Sequence, residues 1–83
     1  MDIDCQKVIQ IIGRRCGWEK KYPVPEDEKL VLALKSAGLS EILSYLCLEE
    51  LINTRYITKK NNNYKLTDKG YDYGYPKRLE QFD

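Results

Sequence analysis

The most constraining stretch of this chain lies past its middle. Tyr56-Ile57-Thr58-Lys59 and Tyr64-Lys65-Leu66-Thr67 are short β-rich runs that alternate roughly between two faces. Between them stands Lys60-Asn61-Asn62-Asn63. Asparagine tolerates left-handed backbone, so the spacing predicts a two-stranded hairpin with its tip at the asparagines. Thr67-Asp68-Lys69-Gly70 closes it.

Three helices are expected before the hairpin. Residues 4–15 read as a helix, since Cys5, Val8, Ile9, Ile12 and, just beyond, Cys16 recur at three- and four-residue steps and make one apolar stripe. Asp2 or Asp4 can cap its start, and Gly17 can end it with a positive φ. Ile11 falls off the stripe, free to meet the tail or a partner. Two prolines within three residues, Pro23 and Pro25, forbid a helix in the next segment. It reads as a loop whose Trp18, Tyr22 and Val24 lean on the core. Pro25 then opens a helix over 26–37, with Glu26, Asp27 and Glu28 at its positive end. Ser40 caps a third helix over 41–53. The link Ala37-Gly38-Leu39 makes the pair a tight helix-turn-helix. In the tail, 71–83, Pro76 opposes one continuous helix.

The charge balance narrows the function. Lys and Arg number 14 against 13 Asp and Glu, a net charge of +1, so overall charge does not argue for nucleic acid. Histidine is absent. That removes a histidine base and histidine metal ligands, and three cysteines without CxxC spacing make a poor zinc site. No nucleophile–base pair or phosphate-cradling glycine loop is present, so neither catalysis nor a cofactor is expected. The acidic opening Met1-Asp2-Ile3-Asp4 is unlike a secretory signal, and no apolar run is long enough to span a bilayer. With an odd cysteine count, this points to a cytoplasmic chain with free thiols sitting as small core residues.

Helix, helix, helix and hairpin is the winged helix-turn-helix order, and the wording of the chain resembles that family too. Leu48-x-x-Leu51-x-x-x-x-Tyr56-Ile57 is similar to a recognition helix running into the first wing strand. Tyr64-Lys65-Leu66-Thr67-Asp68-Lys69-Gly70 is similar to the common Y-x-L-T-x-x-G ending of the wing. MarR-like, PadR-like and ArsR-like regulators use such segments, and the resemblance covers about residues 26–71. It implies a single α+β domain, mainly α, over 1–83, with three helices and a two-stranded wing at 56–67. Leu48 and Leu51 would face inward, and Tyr56 or Ile57 with Leu66 would close the core from the hairpin side. Thr67 would cap the turn after the strand, and Gly70 would hold a conformation that a Cβ opposes. Where the family usually has Gly, this chain has Arg55; Asn53 or Thr54 would then carry the helix-ending conformation.

The resemblance implies a DNA-binding transcriptional regulator, and size argues for a homodimer that doubles the phosphate contacts. Yet residues 39–53 hold Glu41, Glu49 and Glu50 and no Lys or Arg, a local charge of −3. Residues 54–70 carry Arg55, Lys59, Lys60, Lys65 and Lys69 against Asp68, a local charge of +4. Carboxylates facing phosphates oppose binding, whereas each phosphate-bound cation releases counterions. DNA contact is therefore expected from the wing, through Arg55, Lys59, Lys60, Asn62 and Lys65. Ser40, Ser44 and Tyr45 are the polar choices on the third helix, and Arg14, Arg15, Lys20 and Lys21 form a second anchor. The wing lysines also fit a hairpin kept soluble by charge. Ile42 and Leu46 fit a dimer or partner surface, or a face that the first helix or the tail covers. The alternative function is a protein-interaction module using the acidic, apolar third helix.

Overall fold

The computed structural model describes residues 3–75, and within them the three long helices end by the same device. α1 (Ile3–Arg15), α2 (Glu28–Ser36) and α3 (Glu41–Asn53) are the three long helices. Each finishes with paired backbone hydrogen bonds of the Schellman type: Trp18 to Gly13 and Gly17 to Arg14, Leu39 to Leu34 and Gly38 to Lys35, Tyr56 to Leu51 and Arg55 to Ile52. The residue that must turn left-handed is Gly17 (φ 62°), Gly38 (φ 91°) and, in the third case, Arg55 (φ 65°). Arg55 itself thus takes the glycine role that was expected of Asn53 or Thr54.

Starts follow side-chain chemistry. Ser40 accepts from the Leu43 N–H and opens α3 as expected. Pro25 does not open α2. Asp27 does, accepting from the Leu30 N–H at 3.0 Å. Pro25 instead belongs to β1 (Val24–Pro25), a short strand where a loop was expected. β1 pairs antiparallel with β3 (Asn63–Leu66), which pairs antiparallel with β2 (Ile57–Lys60), giving the order β1-β3-β2. Proline lacks an N–H, so an edge position suits it. The hairpin therefore has a third strand that the sequence reading did not contain.

The described residues form an α+β, mainly helical fold, with four helices and a three-stranded antiparallel sheet. α1 lies at its centre, packed against α2, α3, α4 (Asp68–Gly74) and β3. That explains Ile11: with neighbours on several sides, α1 buries it along with Cys5, Val8, Ile9, Ile12 and Cys16. Val24, Leu30, Leu34, Leu39, Cys47, Leu48, Leu51, Ile57, Tyr64 and Leu66 complete the core. The chain turns through 104° between α2 and α3.

α4 replaces the turn expected at the hairpin's end. Thr67 caps it, accepting from the Gly70 N–H at 3.1 Å, while its own N–H reaches the Tyr56 carbonyl at 3.2 Å. Gly70 is helical, not left-handed. A Cβ there would lie 1.9 Å from the Tyr56 carbonyl oxygen, so the glycine serves close approach, not an unusual φ. Tyr71 on α4 and Tyr75 at its C-terminal cap stand one turn apart and stack at 4.9 Å, each meeting the ring of Trp18 edge-on. Tyr73 turns the other way onto Tyr56. Trp18, half-buried, plugs the gap between α1 and α4. The tail expected beyond Pro76, with Leu79 and Phe82, and the cap at Asp2 lie outside the described residues.

Candidate nucleic-acid interface

The hairpin is built by its turn. Asn61 and Asn62 both take left-handed backbone, φ 52° and 60°, which is the two-residue hairpin turn whose twist matches that of the strands. The register pairs Thr58 with Lys65 and Lys60 with Asn63. Alternation then puts Ile57, Tyr64 and Leu66 on the core side and Thr58, Lys60, Asn63 and Lys65 on the outer side. Thr58, Lys60, Asn63 and Lys65, with Pro23 and Asn61, line a shallow depression that contains no carboxylate.

Lys59 does not join that face. It shares the core side with Tyr64, lies 5.4 Å above the Tyr64 ring and pairs with Glu26 at 3.4 Å. Glu26 also accepts from the Tyr64 hydroxyl. Burial, and then this hydrogen bond, hold the Tyr64 phenol well above its ordinary titration range. Glu26, read in sequence only as a helix-dipole partner, therefore ties the segment leading into α2 to the hairpin. Its distance of 38 residues from Tyr64 left no local signal.

A second groove runs between the end of α3 and the hairpin, lined by Asn53, Arg55, Thr58, Lys59 and Lys69 among others. Its carboxylate, Asp68, is held 2.7 Å from Lys20. Lys69 is engaged internally, donating to the Thr54 carbonyl at 3.0 Å and lying over the Tyr56 ring. Arg55 is exposed at this groove.

The expected second anchor is divided. Arg14 and Arg15 are exposed on the last turn of α1. Arg14 borders a groove beside Ala37, together with Lys7 and Gln10. Lys20 is bound to Asp68, whose hydrogen bond raises the ammonium's pKa, and lies 5.1 Å over Tyr71. Lys21 lies over Tyr22.

On α3, Ser44 is corrected: it is buried and donates its hydroxyl to the Ser40 carbonyl at 2.8 Å, so it is not offered to a ligand. Ser40 is spent as the cap. Tyr45 is exposed, and so are Ile42 at 75% and Leu46 at 58%, uncovered by any described residue. All three cysteines are buried, with the Cys5 thiol 2.9 Å from a Glu50 carboxylate oxygen. Among the described residues no cluster of three metal-ligating side chains occurs, and no single helix is long and apolar enough to cross a membrane. Comparison with protein-family models, curated proteins and solved structures finds no match.

Proposed function

We propose that this chain is a winged-helix domain, a cytoplasmic regulator of transcription that holds the phosphate backbone of duplex DNA through its wing and works as a homodimer. The near-right-angle turn from α2 to α3, followed directly by a hairpin, supports the winged-helix reading. β1 adds a third strand beside the wing.

The observation that carries the DNA reading is the outer wing face. Lys60 and Lys65 stand there among threonine and asparagine side chains, with no carboxylate lining the depression. Arg55 stands at the root of the same hairpin in a backbone conformation that glycine would hold with less strain. A long cation held in such a strained conformation is a reason to assign it a contact.

The test is fluorescence anisotropy on duplex DNA as salt is raised. Three phosphate contacts per protomer, from Arg55, Lys60 and Lys65, give a slope of log K on log salt of about −2.7. Between roughly 50 and 200 mM salt that is about a 40-fold loss of affinity per protomer. Arg55→Gly with Lys60→Gln and Lys65→Gln should abolish binding and its salt dependence. Unchanged binding by that variant would end the proposal.

A second reading, a protein-contact module, is favoured by the exposure of Ile42 and Leu46 on α3.

A further inference from the structure

We propose that the solvent face of α3 docks a basic amphipathic helix of a partner protein. The inference rests on the protein-contact reading and names the partner's chemistry.

α3 carries large apolar side chains on both of its faces. Cys47, Leu48 and Leu51 fill its core side, while Ile42, Tyr45 and Leu46 stand on the other. Helices of this kind are normally covered. Ile42, Tyr45, Leu46 and Glu49 follow the i, i+3, i+4, i+7 spacing by which one helix anchors on another. The apolar face continues sideways, where Tyr45 with Val31 and Leu34 lines the groove between α2 and α3, bordered by Lys35 and by the carboxylates of Glu26 and Glu41.

Charge selects the occupant. Glu41–Asn53 contains three glutamates and no cation. Glu41 and Glu49 flank the stripe, both exposed. Duplex DNA would bring phosphates against these carboxylates, so it is the wrong ligand for this face. A second copy in antiparallel two-fold contact would set Glu41 near Glu49 of its mate, like charge against like. A helix with leucine-type anchors and flanking lysines or arginines satisfies both parts of the surface, its cations reaching outward over the apolar seam.

The probe is a fluorescein-labelled model peptide of leucine and lysine in helical period, titrated with the full chain; a leucine–glutamate peptide of the same pattern is the control. The lysine peptide should bind and the glutamate peptide should not. Ile42→Ser with Leu46→Ser, and separately Glu41→Lys with Glu49→Lys, should each weaken binding at least about tenfold. These side chains are exposed, and unchanged circular dichroism confirms that the fold is kept. Lys60→Gln with Lys65→Gln should leave peptide binding intact, which separates this surface from the wing. If both peptides bind equally and the serine pair abolishes both, the protein-contact reading stands but the basic partner is wrong. If neither peptide binds, or no α3 variant changes binding, both fall. If the chain sediments as a dimer that Leu46→Ser dissociates, a second copy is the occupant and the proposal is overturned.

Discussion

Replacing Gly70 with alanine tests the packing of α4 against the exit of α3, because two physical effects predict opposite signs. Inside a helix, Gly→Ala normally stabilises by about 1 kcal/mol. Here the new Cβ would stand 1.9 Å from the Tyr56 carbonyl oxygen and 2.9 Å from its carbon. Carbon–oxygen contacts settle near ~3.3 Å, so α4 and Tyr56 must separate by roughly 1.4 Å. Tyr56 cannot simply withdraw. Its N–H is bonded to the Leu51 carbonyl, and its own carbonyl receives the Thr67 N–H. Separation stretches that bond and the Thr67 hydroxyl contact, at about 1 kcal/mol each. It also loosens the packing around Leu66, whose Cδ2 is 3.4 Å from the Cβ position. A gross loss of ~3–4 kcal/mol against the ~1 kcal/mol propensity gain leaves about 2–3 kcal/mol of net destabilisation. For a domain of this size that is a fall in Tm of roughly 10–20 °C. Thermal melts followed by circular dichroism, with urea titrations to check an unchanged m-value, read it directly. A Tm equal to or above wild type would refute the close-approach argument and leave only propensity.

Arg55→Gly should act the other way on stability. Relieving a left-handed arginine raises stability by about 1 kcal/mol, read as a higher urea midpoint at constant m-value, while DNA affinity falls. Gly38→Ala, at φ 91° with open space around it, should cost about 1 kcal/mol from backbone strain alone. Asp68 should titrate below the ordinary carboxylate range, chiefly through the hydrogen bond from Lys20. Because its pKa is lowered by folding, its contribution is present above the unfolded-state pKa and fades as pH falls through the native value. Carbon-detected NMR of the Asp68 carboxyl in wild type and Lys20→Met checks this, the variant returning to the ordinary range. Trp18→Ala removes the ring that fills the space between Gly13 and Gly74 and should cost ~3–5 kcal/mol with loss of the near-ultraviolet aromatic signal.

Much of the architecture was legible because it is local. The apolar stripe of α1, the Ser40 cap, the glycine exits at Gly17 and Gly38 and the asparagine hairpin tip all depend on residues within a turn or two of one another. The charge contrast between α3 and the hairpin is a property of composition along the chain. What failed depended on distance. β1 exists because Val24 meets Tyr64, and no window of sequence spans that pairing. Burial of Ile11 follows from how many elements surround α1, not from its own periodicity. Ser44, by contrast, falls on the helical stripe of Cys47, Leu48 and Leu51, and its polar side chain hid that spacing. Lys59 stands apart from Lys60 and Lys65 because alternation and Glu26 draw it to the other side of the sheet.

Gly70 marks the boundary most clearly. Sequence alone determined that a glycine stands three residues after the capping threonine, in a stretch that resembles the end of a wing. Backbone conformation was the natural reason to assign it, since conformation is what a local reading can see. Only the tertiary structure decided that the residue is helical and that its missing side chain makes room for a carbonyl 14 positions earlier. Local chemistry chooses turns, caps and strands. Steric room between elements is set by the whole fold, and the sequence carries no local record of it.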